Sequence, residues 1–470
     1  MKSQHQYRYQ DINPIINPKS VAIIGASDKP EKVGHVILKN YVDVGFQGQL
    51  YPVNINTEPN GKIMGHTAYR SILDIKKPID LAVIAIPAEL VPKALEECGK
   101  AKVSGVVIVS GGFAEVGNQK LEDRIAEISR KYRMPFIGPN CLGVMDPRSR
   151  NDTLFLPTSK IDRPKIGGVS FVSQSGSVGS STLDLISGEG FGLAHFISYG
   201  NATVVDEVDI LNYLADDPET KVIVYYLEGV KRGKEFMEVA KRTGNKKPVV
   251  IIKGGRSPAG VSAAHSHTAS LAGSAEAYEA VFRQSGFIVA EELDDLLYFA
   301  KIFETQPLTT GNHIAVMTNG GGHGVLATDA LYLTGLQFPK LEPSTEKALR
   351  KAMPPIVNIA MPLDIGGEAD AQRYINALEI LAKDPNVDAF LIIALFQTPG
   401  ADEKLANTIA QFASNSKKPV VVVSTGSTYT RSHTALMEAA GVPVYDDPVA
   451  AARSLAALIK YSKFRNKMIV

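Results

Sequence analysis

The sequence predicts an α/β protein built from three open, mostly parallel sheets. Short runs rich in valine and isoleucine recur along all 470 residues, each followed by a turn and an amphipathic stretch. This alternation is typical of parallel strands connected by helices. The length also exceeds what one hydrophobic core usually supports, at about 150 residues per domain. We therefore expect three domains, in residues 1–147, 148–304 and 305–470.

Five strands are predicted in the first domain. They lie near Val21–Gly25, Leu50–Asn54, Leu81–Ile86, Gly105–Ser110 and Pro135–Gly138. The domain ends near Pro147, because residues 148–165 are polar and contain prolines, as in a connector.

The second and third domains repeat the pattern. The predicted strands lie near Gly168–Ser173, Leu193–Ser198, Val222–Leu227, Val249–Lys253, Phe287–Ala290, His313–Thr318, Ala389–Leu395 and Val420–Ser424. An alanine-rich helix is predicted over Pro448–Tyr461.

Composition excludes several classes of protein. The chain is 44% hydrophobic and 21% charged, which is typical of a globular protein. Its net charge of +1 provides no general field for nucleic acid or anionic membranes. Two cysteines cannot form a disulfide scaffold, and no signal peptide or apolar run long enough to span a membrane is recognisable. We expect a cytoplasmic protein.

The turn Gly25-Ala26-Ser27 follows an apolar strand and leads through Lys32 into a helix, as nucleotide-type turns do. A structural turn and a ligand site fit this run equally well. An NAD-dependent dehydrogenase is disfavoured, because the GxGxxG spacing is missing. The second strand also ends in Val53-Asn54, where an acidic residue would bind ribose.

Two further turns indicate anion binding. Ser175 and Gly176 stand between a strand and a helix in the second domain, and Gly322 and Gly324 occupy a glycine-rich turn in the third. There we expect the helix to begin near Val325. Helix starts present free backbone N–H groups and partial positive charge. Neither turn has the Lys-Ser/Thr pair of a P-loop.

Residues 254–274 are almost all small and contain His265 and His267. A long loop with a histidine near its end is a suitable carrier of a phosphoryl group, because a neutral imidazole nitrogen can attack phosphorus. A metal site is the weaker interpretation and a surface histidine the plain one, so we predict no metal.

The run SHTASLAG at 266–273 resembles the SHTGSLAG signature of the α part of ADP-forming acyl-CoA synthetases, relatives of succinyl-CoA synthetase. Further family runs follow in order: IIGAS at 23–27, YPVN at 51–54, AVIAIPA at 82–88, IGPNCLG at 137–143, SQSG at 173–176, YLEG at 226–229, TNGGGHG at 318–324 and PLDIGG at 362–367. The resemblance covers nearly the whole chain. It implies a Rossmann-like CoA-binding domain followed by two flavodoxin-like domains of the succinyl-CoA synthetase type.

The resemblance also implies roles for individual residues. His267 would become phosphorylated, and Glu228 would orient its imidazole. Ser175, Gly176, Gly322 and Gly324 would bind phosphate at two helix starts. Coenzyme A would contact a set that comprises Gly25, Ser27, Lys32, Val53, Asn54, Ile86, Pro87 and Asn140. Cys141, beside the thioester site, would not attack.

The implied reaction converts acyl-CoA, ADP and phosphate to acid, ATP and CoA through an acyl phosphate and phosphohistidine. We find no segment for an ATP-grasp domain, so ADP and Mg²⁺ are expected on a separate β subunit, as in an α2β2 assembly. The alternative is a non-catalytic CoA-sensing or acyl-CoA-sensing module of the kind fused to protein acetyltransferases.

Two departures from the family pattern are His265 in place of serine and Ala269 in place of glycine.

Overall fold

The computed structural model describes residues 10–189, 191–257, 259–260 and 275–467. It confirms the α/β class, since three main sheets alternate with helices along the chain. Contacts divide the chain into two compact units, Met1–Val289 and Ala290–Val470. The first unit contains two of the main sheets and the second unit contains one. The limits of the three predicted domains stay a prediction.

The first sheet has five parallel strands in the order β2-β1-β5-β6-β7. All lie where the sequence predicts strands: β1 (Ser20–Ile24), β2 (Gln49–Val53), β5 (Leu81–Ile84), β6 (Gly105–Ile108) and β7 (Phe136–Ile137). A small antiparallel hairpin, β3 (Lys62–Ile63) and β4 (His66–Thr67), follows β2.

The predicted connector after Pro147 is wrong in one respect. A hairpin of β8 (Gly143–Asp146) and β9 (Asn151–Asp152) joins the second sheet, where β8 pairs antiparallel with β11 (Leu193–Ser198). Asn151 and Asp152 in this hairpin are buried, and both have partners. Asn151 donates to the carbonyls of Ile15 and Ile16, and Asp152 pairs with Arg163. Polar groups tolerate burial when they are hydrogen-bonded.

The second sheet has the order β14-β13-β12-β10-β11-β8-β9 and is parallel except for that hairpin. Its remaining strands are β10 (Ile166–Ser173), β12 (Val222–Leu227), β13 (Val249–Lys253) and β14 (Ile288–Val289). The first two sheets share an apolar cluster that includes Ile23, Ile137 and Ile197, so they form one core.

The second unit contains a parallel sheet in the order β16-β15-β17-β18-β19. Its strands are β15 (Ile314–Thr318), β16 (Leu363–Asp364), β17 (Ala389–Ile393), β18 (Val420–Val423) and β19 (Val444–Tyr445). β16 and β19, which have two residues each, were not predicted from the sequence. This unit has its own apolar core.

The α-helices of the described residues are Asn13–Ile16, Val33–Asp43, Val91–Lys100, Gln119–Tyr132, Gly176–Gly188, Glu207–Asp216, Gly233–Gly244, Ala275–Gln284, Leu293–Thr305, Gly321–Leu333, Pro343–Ala352, Ala371–Ala382, Glu403–Asn415, Thr428–Ala439 and Pro448–Lys467. The last one extends beyond its predicted end at Tyr461. None of the described helices combines the length and apolar character needed to span a lipid bilayer.

Candidate functional site

Each main sheet reverses its winding direction beside one strand. β1 lies between β2 and β5, β10 lies between β11 and β12, and β15 lies between β16 and β17. At such a switch point the loops that follow two neighbouring strands diverge and leave a crevice at their carboxyl ends. The three glycine-rich turns identified in the sequence follow β1, β10 and β15, so all three lie at switch points.

Two glycines shape the turn after β1. Gly25 has a φ of +100°, and a Cβ there would lie 2.3 Å from the carbonyl oxygen of Ala85. A Cβ on Gly34 would lie 2.0 Å from the carbonyl oxygen of Gly25. Only glycine therefore allows the turn and the helix Val33–Asp43 to approach this closely.

A cavity of about 350 Å³ opens beside this turn. Four predicted ligand residues line it, namely Gly25, Lys32, Ile86 and Pro87. Lys32 is exposed and directly precedes the helix. An ammonium group beside a helix start favours an anionic ligand.

Three other predicted residues fix the turn itself. Asn54 Nδ2 donates to the carbonyl oxygen of Ala26 over 2.7 Å. The carbonyl oxygen of Val53 accepts from the Gly25 N–H over 2.9 Å. Ser27 Oγ accepts from the N–H of Lys29 over 3.1 Å. These bonds hold the ends of β1 and β2 together at the cavity.

Asn140 belongs to a polar network at the edge of the same cavity. A Cβ on Gly111, which lines the cavity, would lie 3.3 Å from Asn140 Oδ1. Asn140 Nδ2 donates to Asn201 Oδ1 over 3.3 Å, and Asn201 donates to Glu115 and Glu122 over 2.7 and 2.9 Å. The network joins loops of the first two sheets.

The neighbouring Cys141 is a packed residue. Its thiol lies 3.4 Å from the carbonyl oxygen of Ile108, and burial raises the pKa of this thiol to about 12. A thiol with such a pKa stays protonated at neutral pH and is a poor nucleophile.

At the second switch point the helix Gly176–Gly188 begins directly after Ser175, its N-cap. Ser175 Oγ accepts from the N–H of Val178 over 3.4 Å and shares a hydrogen bond with Ser177 Oγ. The N–H groups of the first turn lack helical partners and carry partial positive charge. The turn is therefore suited to an anion.

Glu228 follows β12, the strand next to β10, at the same switch point. Its side chain is only 6% exposed, which rules out a solvated carboxylate at a strand end. Its Oε2 has no hydrogen-bond partner among the residues that the structure describes. Leaving a buried carboxylate oxygen unpaired is costly, so this oxygen suits a donor such as an imidazole N–H.

Tyr226 and Lys253 surround Glu228. Burial, the charge of Glu228 and a hydrogen bond between the two side chains raise the pKa of Tyr226 to about 12, so the phenol stays neutral. Burial lowers the pKa of Lys253, and the charge of Glu228 opposes that shift. The ammonium of Lys253 lies 4.9 Å from the ring centroid of Tyr278.

His267 and His265 lie outside the described residues. The stretch that carries them begins after β13 at Gly254, where a Cβ would lie 2.7 Å from Tyr226 Oη and 3.5 Å from Glu228 Cγ. The start of the histidine-bearing stretch therefore lies next to Glu228.

At the third switch point, the helix begins at Gly321 and not near Val325 as predicted. Three consecutive glycines have low helix propensity, which conceals the start of the helix from the sequence. A Cβ on Gly322 would meet nothing within 4 Å, whereas one on Gly324 would lie 3.1 Å from Thr318 Cγ2. Gly322 thus lies at an open helix start, and Gly324 packs on the strand.

Sequence reasoning missed two amides that the structure places at switch points. Gln174 Oε1 accepts from the N–H groups of Glu228 and Gly229, at 2.8 and 3.1 Å. Asn319 exchanges hydrogen bonds with both backbone groups of Leu395, at 2.9 and 3.1 Å. Their signal was an amide between a strand end and a glycine-rich helix start.

Three family models match consecutive parts of the chain. They are a CoA binding domain over residues 19–147, a succinyl-CoA ligase like flavodoxin domain over 166–303 and a Ligase-CoA domain over 314–466. The α subunit of the ADP-forming acetate–CoA ligase II of Pyrococcus furiosus is 38% identical over 456 residues, covering 95% of this chain and 97% of that one. The chain belongs to the family of ADP-forming acetate–CoA ligase α subunits.

Two further relatives are similar to this chain over nearly its whole length. An ADP-forming acetate–CoA ligase of Methanocaldococcus jannaschii is 40% identical over 464 residues, which cover 98% of this chain but 64% of that protein. The acetyl-coenzyme A synthetase 1 of Ca. Korarchaeum cryptofilum, solved with phosphate and ADP, superposes with a TM-score of 0.90 at 34% identity. That match covers 98% of this chain and 99% of the solved chain. Family membership confirms the predicted acid–thiol ligase class and does not favour the sensing module.

Proposed function

We propose that this chain carries the acyl-phosphate and phosphohistidine steps of an ADP-forming acyl-CoA synthetase. The overall reaction converts acyl-CoA, ADP and phosphate to acid, ATP and CoA. The observation that carries the proposal is the unpaired, buried Oε2 of Glu228, which lies where the His267-bearing stretch begins.

The first step would take place at the cavity beside Gly25 and Lys32. A phosphate oxygen attacks the thioester carbonyl, the C–S bond breaks, and the CoA sulfur leaves and takes up a proton. Gly25, Lys32, Ile86 and Pro87 line the cavity that would receive part of CoA, supported by the Asn54 bond to the turn. Asn140 lies beside Gly111 at the edge of this cavity and would border the thioester.

In the second step a ring nitrogen of His267 attacks the phosphorus of the acyl phosphate. The P–O bond breaks, a P–N bond forms, and the acid leaves with the electron pair. Glu228 would hold the other ring N–H, which fixes the tautomer and leaves the attacking nitrogen unprotonated. The helix start at Ser175 and Gly176 would stabilise the dianionic phosphoryl group. The helix start at Gly322 and Gly324, in the second unit, would also bind phosphate.

The third step requires a nucleotide site that we assign to a partner. An oxygen of the ADP β-phosphate attacks the phosphoryl group, and the P–N bond breaks. A separate ATP-grasp β subunit would bind ADP with Mg²⁺, in an assembly such as α2β2. The Pyrococcus relative is itself an α subunit of nearly equal length, whereas the Methanocaldococcus relative is about half as long again. ATP formation by the purified chain alone would contradict this assignment.

Labelling with acetyl [³²P]phosphate tests the second step without the partner. The full chain should take up acid-labile label. His267→Ala should abolish uptake, while His265→Ala is the matched control and should keep it. CoA binding without any label would instead support the sensing module.

A further inference from the structure

We propose that Gln174 is a positioning residue, whose side-chain oxygen holds the peptide that carries Glu228 and thereby sets where the carboxylate points. The inference rests on the proposed function, because it assigns a task to Glu228.

The contacts of Gln174 converge on one acceptor atom. Its Oε1 accepts from the N–H of Glu228 at 2.8 Å, from the N–H of Gly229 at 3.1 Å and from the hydroxyl of Tyr199 at 3.3 Å. The Gln174 N–H itself donates to the carbonyl of Tyr226 at 3.2 Å. Gln174 is therefore hydrogen-bonded to the backbone on both sides of Glu228, at Tyr226 and at Gly229.

Burial makes this arrangement rigid. Gln174 and Glu228 are 5% and 6% exposed, so water does not readily replace the amide oxygen. Buried N–H groups left without an acceptor are costly, and the segment would have to shift to recover partners. Tyr226 contacts the Glu228 side chain, but Oε2 has no hydrogen-bond partner among the described residues.

The second unit has the same hydrogen bond from a backbone N–H to a side-chain amide oxygen, but the residue that donates there is not an acid. Asn319 also follows the strand at the switch point of its sheet, and its Oδ1 accepts from the N–H of Leu395. Ser173 pairs with Tyr226 and Thr318 pairs with Ile393, so Leu395 occupies the position that corresponds to Glu228. The amide therefore sets the end of the neighbouring strand in both units, and in the first unit that end carries an acid.

The test uses labelling of the full chain by acetyl [³²P]phosphate, with the single-turnover rate measured against donor concentration. Gln174→Met, which keeps the volume and removes the acceptor, should slow labelling about 10- to 100-fold at saturation. The half-saturating donor concentration should change by less than about twofold, because Gln174 does not bind the donor. Gln174→Asn is a milder change, made in case Gln174→Met fails to fold. Its labelling rate should lie between those of wild type and Gln174→Met.

Rescue and coupling separate positioning from a structural role. Gln174→Glu keeps an acceptor oxygen at the same place, so it should recover most of the rate. In a Glu228→Gln background, Gln174→Met should slow labelling by less than about twofold, because residues that act through one another are not additive. Asn151→Ala is the matched control, since Asn151 also makes two side-chain bonds to backbone and one to a tyrosine hydroxyl. It should reduce stability and leave the rate unchanged.

The outcomes distinguish the two proposals. Equal labelling rates for wild type and Gln174→Met, or additive losses with Glu228→Gln, overturn the positioning role and leave the proposed function intact. A wild-type chain that takes up no label overturns the proposed function and the positioning role together.

Discussion

Asn54 Nδ2 lies 2.7 Å from the carbonyl oxygen of Ala26 and joins the end of β2 to the turn after β1. Asn54→Asp would lose this donor and place a negative charge against a carbonyl beside the cavity that we propose for CoA. We expect CoA to bind about tenfold more weakly, equivalent to about 1.4 kcal/mol, by isothermal titration calorimetry.

Asn56→Asp is the matched control for charge. Asn56 is exposed and lies two residues further along the chain, so the variant adds the same charge and keeps the Asn54 bond. Dephospho-CoA, titrated in parallel, shows how much of the loss comes from the 3′-phosphate. Equal losses for both variants would show that the hydrogen bond is unimportant.

Gly34→Ala tests the close approach of helix and turn. Its Cβ would lie 2.0 Å from a backbone oxygen, which cannot move without the turn. We expect the variant to lower the free energy of unfolding by about 1–3 kcal/mol and to weaken CoA binding. Gly188→Ala is the control, since a Cβ there meets nothing within 4 Å. A stable Gly34→Ala protein with normal CoA binding would contradict this account of the turn.

Gly322→Ala should separate stability from activity. A Cβ on Gly322 meets nothing within 4 Å, and alanine favours helix over glycine, so stability should rise by as much as about 1 kcal/mol. If phosphate approaches this helix start, the added methyl group should nevertheless slow ATP formation by the chain reconstituted with its partner. Thermal unfolding and the coupled assay measure the two effects. An unchanged rate in a stabilised protein would remove Gly322 from the phosphate site.

The long apolar strands were predictable because parallel strands covered on both faces consist almost wholly of apolar residues, as in β12 and β18. The hairpin of β8 and β9 was not, because Asn151 and Asp152 are buried only through partners distant in sequence. Glu228 was recognised from its motif. The hydrogen bond from Glu228 to Gln174 could not be predicted, because the two residues are 54 positions apart and meet only through the pairing of β10 with β12.

His195 predicts a pH dependence of stability. Its Nε2 lies 3.0 Å from Asp217, and its Nδ1 lies 3.4 Å from Asp146. Burial disfavours the charged ring, but the contacts of the ring with Asp146 and Asp217 and the charges of these two carboxylates outweigh burial and raise the pKa of His195 to about 9. The same contact lowers the pKa of Asp217 to about 2. Both pKa shifts arise from one ion pair, so their free energies do not add.

The sign follows from the raised pKa of the folded state. The imidazolium stabilises the fold fully below the unfolded value of about 6.5, and this contribution disappears as the pH rises through about 9. A shift of this size corresponds to about 3 kcal/mol. The free energy of unfolding relative to His195→Gln, from denaturant titrations between pH 6 and 10, should therefore fall by that order. His66→Gln, in β4 and outside this cluster, is the control. A difference between wild type and His195→Gln that stays constant with pH would show that His195 is neutral in the folded protein.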